Sequence, residues 1–501
     1  MGNGLSRIEH IVVLMQENRS FDNLLGWQFG LDPQTMFNLT DEGERIPVWR
    51  NEGTSYETMT IPDPDPGELF TDMNYQLFER YFVPDQLVPP PVPTMGGFVR
   101  NYVNQTIPEP QRQAPYDPRA IMHGFTPEQV PVTSRLAATF GVAHRWFASS
   151  PTQTFPNRFF VHAATADGYV NNVPVPVWDV VERLPYDMPT IFNQLTAHFS
   201  LHDLWPFDKG WRIYFHDFPI SGLLSQLWGH LDHFHGFRRF KEDVEGGHLQ
   251  PYSFIEPRYF ANLEQTLLPN DHHPPHDVTL GEQLIADVYN TLRASRYWTK
   301  TLLIVISDEH GGCYDHVPPP PAQAPDDGRS PKPGQYGFTF DRYGVRIPAL
   351  IVSPYVPPGK VEPPAASPYP FDHTTVIKTV RERFAPGASP LTKRDAAAPS
   401  LASALATDPV NLGPEHIPIP PYSPPAEMVQ AAAHAPLTDF QRAVLYLAAA
   451  LPGADRALEF LAGLRTGFRP ERAPLPHQTP AEALPLVKAR LKAFLGRDEG
   501  E

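Results

Sequence analysis

Cys313 is the only cysteine in 501 residues, so no intrachain disulfide is possible and the redox compartment is left open. No stretch approaches the ~18 consecutive apolar residues of a membrane span. The longest early apolar run, Ile11–Met15, is too short for a signal-peptide core. The expected localisation is cytoplasmic for the sequence as it stands, or secreted if an upstream signal was removed. Basic charge is also scarce: 40 Lys and Arg stand against 56 Asp and Glu, a net charge of −16. Such a chain repels phosphate backbones over most of its surface, which argues against nucleic acid as a partner. It also disfavours adsorption to anionic bilayers, leaving at most transient membrane-surface contact. No internal repeat is present, and nothing in the sequence fixes an oligomeric state.

Proline is what the chain has in excess. Its 61 prolines imply many fixed loops, while 41% hydrophobic and 19% charged residues fit a globular protein with a large core. The most informative stretch is Thr301–Pro320, TLLIVISDEHGGCYDHVPPP. Thr301–Ile306 is apolar, β-branched and too short for an ordinary helix, and so reads as a strand buried on both faces. Asp308 and Glu309 follow at its C-terminal end, where parallel α/β sheets place their ligands. Gly311 and Gly312 then permit a sharp turn close to a ligand.

The same pattern opens the chain, with a strand at Ile8–Met15 followed by Gln16-Glu17-Asn18-Arg19-Ser20. Further strands are expected at Val142–Trp146, Trp211–Phe215 and Ile347–Val352. Helices are expected at Leu69–Tyr81, Pro127–Phe140, Thr279–Ser295 and His373–Phe384. Ser149–Arg158 reads as a polar loop before a helix that starts at Phe159. Strands alternating with helices predict an α/β fold with a mostly parallel central sheet covered on both faces. Residues 1–395 form the expected catalytic domain. Residues 396–501 read as a Pro/Ala-rich segment and an accessory helical region, with helices at Asp439–Leu451, Ala454–Leu464 and Leu486–Phe494. Thr438 and Gln441 give the first of these a capping box.

Three loops converge on one edge of this sheet. They offer Glu17 and Asn18, then Thr152, Thr154 and Asn157, then Asp308 and Glu309. Carboxylate, amide and hydroxyl oxygens make a hard donor set, suited to one divalent ion such as Ca²⁺, Mg²⁺ or Mn²⁺, or to Zn²⁺. A hydroxyl beside such an ion is a candidate nucleophile. His273, His276 and His316, flanked by prolines or following the acids, are candidates to protonate a leaving oxygen.

ENRSFD after the first strand, T-x-P-N-R with Thr154 and Arg158, DEHGG-x-YDHV-x-x-P and GVRIPALIVSP together resemble the bacterial and plant non-specific phospholipase C family. That family includes related acid phosphatases and has an alkaline-phosphatase-like fold. The similarity runs from about Ile8 to Asp395. It implies that Thr154 is the nucleophile, that Glu17, Asn18, Asp308 and Glu309 hold the metal around it, and that His273 and His276 lie beside the phosphate; Asn157 and Glu68 are expected at the substrate. The implied reaction is cleavage of a phospholipid or small phosphoester through a phosphothreonine. The rival readings are a broad phosphomonoesterase and a non-catalytic protein on the same scaffold. Three positions depart from the family pattern. Glu68 stands where Asp-Pro-Gly-His is usual, which puts a carboxylate near the phosphate and disfavours a dianionic monoester. His144 replaces a more frequent Asp, and Cys313 a usual aromatic.

Overall fold

The structure is a computed structural model that describes residues 4–85, 87, 89–105, 117–172, 186–202, 210–329, 335–454 and 478–499. In chain order its strands are β1 (His10–Gln16), β2 (Phe37–Leu39), β3 (Arg45–Pro47), β4 (Gly141–Ala143), β5 (Trp211–Phe215), β6 (Phe234–Gly236), β7 (Tyr252–Glu256), β8 (Thr301–Ser307), β9 (Ala349–Val352) and β10 (Gly359–Val361). Among the described residues, β2 and β3 form a small antiparallel pair. The other eight make one sheet in the order β10-β4-β9-β8-β1-β7-β5-β6.

Every residue of β1 and β8 is buried, as their unbroken apolar runs predict. Successive side chains point to opposite faces, and the core divides accordingly. Ile11, Val13 and Met15, with Leu302, Ile304 and Ile306, join a cluster that includes Phe155, Phe159, Val376 and Phe440. Val12 and Leu14, with Leu303 and Val305, join the opposite cluster, with Leu24, Leu136, Ile285 and Tyr289. Helices therefore cover both faces of a mostly parallel sheet, the expected class.

The register pairs β1 with β8 in parallel and β1 with β7 in parallel. β9 is the exception and runs antiparallel to both β8 and β4. The cause is the connection: among the described residues no helix intervenes between β8 and β9, so the chain re-enters the sheet from the edge at which β8 left it. The helix expected to begin at Phe159 begins at Thr154 instead and runs to Ala163. Pro156 is accommodated in its first turn, where no intrahelical N–H bond is required.

The helix Val278–Arg293 is capped by Asp277 and leads into β8 as predicted. The capping box at Thr438 and Gln441 is present, with the two reciprocal bonds at 3.2 and 3.1 Å. Helix Pro480–Leu495 covers the expected Leu486–Phe494 segment, whereas the expected helix at Ala454–Leu464 lies outside the described residues. No described helix is long and apolar enough to cross a membrane.

Candidate active site

The site begins where β1 and β8 end. Their register sets Gln16 against Ser307, so Glu17 and Asp308 emerge side by side. The Asp308 amide donates to the Gln16 carbonyl at 3.1 Å. Asp308 Oδ1 in turn accepts from the amides of Asn18 at 3.0 Å and Glu309 at 2.8 Å. Asn18 takes the left-handed conformation at φ 41°, which Asn tolerates better than most residues. Gly311 packs directly on it: a Cβ there would lie 2.2 Å from the Asn18 carbonyl. At Gly312 a Cβ would meet Pro66 at 2.6 Å, so this glycine lets the 65–68 loop close onto the site.

Thr154 is the first residue of its helix. Its hydroxyl donates to Glu17 Oε2 at 3.3 Å and lies 3.5 Å from Asn18 Oδ1. Arg158, one turn on and on the same helix face, donates through Nε to Glu17 Oε1 at 2.9 Å and also pairs with it through Nη2. The guanidinium lies 3.9 Å from Asp308 Oδ2 and 3.6 Å from Glu256. Asn157, expected at the substrate, is engaged elsewhere. Its Nδ2 donates to the carbonyls of Thr152 at 2.7 Å and Ser150 at 3.2 Å, and its Oδ1 accepts from the Ser150 amide. It shapes the loop before Thr154, because that tight turn leaves carbonyls that need donors.

Five acids crowd this centre. Burial raises the proton affinity of Glu17, Asp308, Glu309, Glu68 and Asp65. Arg158 opposes the rise at Glu17 and Asp308. The neighbouring charge of Asp308 adds to it at Glu309, and that of Glu309 adds to it at Glu68. Asp308 Oδ2 and Glu309 Oε1 are buried without a hydrogen-bond partner among the described residues. Carboxylate oxygens in that state need a proton or a cation. With Asn18 Oδ1, Thr154 Oγ1 and Glu17 Oε2 they form an all-oxygen set whose chemistry fits a hard divalent ion. Glu17 offers that set one oxygen, since Arg158 holds the other.

His273 and His276 arrive on the loop that precedes helix Val278–Arg293. The Glu17 amide donates to the Asp271 carbonyl at 2.7 Å and ties this loop to the end of β1. His276 Nδ1 pairs with Asp271 Oδ1 at 2.7 Å. Burial works against ionisation of Asp271, yet His276 holds its carboxyl below the ordinary value. His273 is fully buried, which pushes it down to about 4, and its Nε2 lies 3.7 Å from Glu68 Oε1. Glu68 also accepts from Asn18 Nδ2 at 2.6 Å, so this position does lie beside the Thr154 cluster.

His316 is held apart from that cluster. Its Nδ1 pairs with Asp22 Oδ2 at 2.6 Å, and Arg346 bridges Asp22 at 2.8 Å and Asp315 at 3.2 Å. After Gly312 the chain follows the turn at residues 20–22, where Ser20 donates to the Tyr314 carbonyl, and this carries His316 into a separate ion network. His144 packs against Phe21 and Phe29 with ring centroids 5.0 and 4.5 Å away. The Cys313 thiol is buried and pushed up to about 12, as befits a packing residue.

Sequence reasoning gave no site role to Asp65, Asp271 and His373, and noted Phe440 with Gln441 only as a weaker terminal motif of the family resemblance. His373 Nε2 faces the Asp308 carbonyl at 2.5 Å. The Phe440 ring stacks on His273 at 5.7 Å, which brings helix Asp439–Ala450 to the site. Asp271 carried a short-range signal in its spacing to His276. His373 carried none, and the motif at Phe440 did not tell where its ring would pack, since only long-range packing makes their contacts.

A family model described as the Phosphoesterase family matches residues 8–385. Non-specific phospholipase C3 of Arabidopsis thaliana is 36% identical over 90% of this chain and 84% of its own. Non-specific phospholipase C1 of Arabidopsis thaliana is 36% identical over 78% of this chain and 69% of its own. Phospholipase C A of Mycobacterium tuberculosis is 28% identical over 76% of this chain and 73% of its own. The chain belongs to the phosphoesterase family and is a hydrolase of phosphoric esters.

Proposed function

We propose that the protein is a metal-dependent hydrolase of the phospholipase C type that cleaves phospholipid diesters through a phosphothreonine. The observation that carries this reading is the Thr154 hydroxyl at a helix N-terminus, 3.3 Å from Glu17 and beside the unpartnered oxygens of Asp308 and Glu309. A divalent ion, held by Glu17, Asn18, Asp308, Glu309 and Thr154, would supply Lewis-acid polarisation and favour the ionised hydroxyl. Glu17 Oε2 and Asn18 Oδ1 fix the direction of the Thr154 hydroxyl, and Arg158 keeps Glu17 in place. Thr154 Oγ1, having released its proton to water, forms the bond to phosphorus as the bond to the diacylglycerol oxygen breaks, and takes a proton back from water when the phosphothreonine is cleaved. His276, with Nδ1 fixed by Asp271, presents Nε2 to give that oxygen its proton. The same nitrogen then takes a proton from the water that cleaves the phosphothreonine and frees the phosphorylated head group.

Support for a lipid over a soluble monoester comes from the relatives' names and from the rim. Leu69 adjoins Glu68. Beyond it Phe82 and Tyr336, 67% and 51% exposed, lie with ring centroids 5.8 Å apart, and Tyr336 stacks on Phe70 at 5.5 Å. An exposed aromatic pair of this kind suits insertion among acyl chains. Replacing both Phe82 and Tyr336 by Ser should lower kcat/KM on phosphatidylcholine vesicles at least about tenfold, because each buried aromatic contributes roughly 1.5–3 kcal/mol. Turnover of p-nitrophenyl phosphate should stay within about twofold, and a parallel loss on both substrates would place these rings away from the bilayer.

The decisive assay compares purified protein on phosphatidylcholine and on p-nitrophenyl phosphate, each with and without chelator. Diacylglycerol release that chelation stops supports the proposal. Faster chelator-sensitive cleavage of the monoester would make the protein a broad acid phosphatase instead.

A further inference from the structure

We propose that Asp65, Glu68 and His273 form a second cation site, suited to zinc, beside the all-oxygen set. One carboxylate oxygen each from Asp65 and Glu68 and one ring nitrogen of His273 lie within 4.8 Å of one another. His273 is fully buried, and its Nδ1 faces the Pro274 carbonyl at 2.6 Å. A carbonyl can only accept, so Nδ1 carries the proton and Nε2 the lone pair. That Nε2 has no hydrogen-bond partner among the described residues and faces Glu68 Oε1 at 3.7 Å. Asp65 Oδ1, 3.7 Å from Nδ1 of the same ring, is likewise buried without a hydrogen-bond partner among the described residues. A lone pair and a carboxylate oxygen facing each other across such a gap repel unless something positive lies between them. A zinc ion bonded at about 2.0–2.2 Å to each would span it.

Among the described residues no Lys or Arg pairs with Asp65 or Glu68 within 4.0 Å. Arg19, whose charge acts on Asp65, directs Nε to the His272 carbonyl and Nη1 to the Ile61 carbonyl, both at 2.6 Å. The ligands are also held in advance. Asn18 Nδ2 fixes Glu68 Oε1, Gln105 Nε2 donates to the Asp65 carbonyl at 2.9 Å, and Gln76 Nε2 donates to the Gly67 carbonyl at 2.7 Å. The Nδ1–H bond to Pro274 fixes the imidazole tautomer, as outer-shell bonds do around metal-bound histidines. Two carboxylates and one imidazole favour zinc over calcium or magnesium, and three protein ligands leave a coordination position for water or a substrate oxygen. Glu68 thus exchanges the proton carrier usual at this position for a metal ligand. The bound ion turns the expected repulsion of a phosphate dianion into attraction.

The test is zinc titration with zinc-edge X-ray absorption on the full chain, read without turnover, so it stands apart from the proposed reaction. Asp308→Asn should still bind zinc with imidazole scattering in its first shell. Glu68→Gln and His273→Gln should each weaken that zinc at least about 100-fold, since even outer-shell changes cost 10–100-fold. Asp65→Asn, a milder change, should weaken it in the same direction with an unaltered circular-dichroism spectrum, which covers the case of a misfolded His273 variant. Zinc binding unchanged in the Glu68 and Asp65 variants would overturn the proposal. So would loss of the imidazole signal in Asp308→Asn.

Discussion

Thr154→Ala should lower phosphoester turnover by on the order of 10⁴-fold or more, because removing a nucleophile that acts as a unit with its neighbours eliminates the covalent route. The side chain is buried, and Glu17 and Asn18, which its hydroxyl faces, both keep other bonds when it is gone. The fold should therefore survive, with a stability change of about 1 kcal/mol, the usual scale for one buried hydrogen bond. Thr154→Ser keeps the hydroxyl and should retain activity within roughly tenfold, since the γ-methyl contributes packing and not chemistry. Single-turnover quenching followed by mass analysis should find the phosphoryl group on the peptide that carries residue 154 in the wild type and in the Ser variant alone. Residual steady-state activity above about one per cent in Thr154→Ala would remove Thr154 from the covalent step.

What could be read in the sequence follows the range of the interactions. β1 and β8 were legible because burial on both faces leaves an unbroken apolar run, and the acids just past them were legible because the sheet's C-terminal edge is a fixed place. β6, β7 and β10 were missed: Phe234–Gly236 and Gly359–Val361 are too short to show a pattern, and Tyr252–Glu256 mixes polar with apolar residues. The reversal of β9 goes with a long connection that has no helix among its described residues, which periodicity does not report. At the site, Glu17, Asn18 and Thr154 come together as the motifs imply. Asn157 and His316 do not join them, because residue type and proximity in sequence leave open which way a side chain turns. Asn157 serves the carbonyls of its own loop, and His316 follows Asp22 and Arg346. Phe440 reaches His273 from the C-terminal region, where no cluster of chemical residues pointed to the site.

Stripping the protein of divalent ions should stop turnover and lower the unfolding temperature, and the second loss should widen as pH rises. In the ion-free chain, burial leads the rise in proton affinity at Glu17, Glu68, Asp308 and Glu309, and like charge reinforces it. Unfolded, these groups ionise near their ordinary values of about 3.9–4.3. Above that range the native state still holds protons that the unfolded state has released. The native state then binds more protons, and stability falls as pH climbs toward the raised native values. Below the ordinary range both states are protonated and the penalty disappears. A bound cation takes the place of those protons and so binds more tightly at higher pH. Free ion at ~1,000 times its Kd stabilises by about 4.1 kcal/mol. With an unfolding entropy of ~2.1 cal/mol/K per residue, a chain of 501 residues should then gain about 4 °C. Calorimetry near pH 5 and near pH 8, with and without chelator, reads the gap directly. It should be wider near pH 8, and narrower in Asp308→Asn at both. A gap that closes as pH rises would mean that Arg158 and shared protons already satisfy these carboxylates, and the cluster would then be a hydrogen-bond network with no place for an ion.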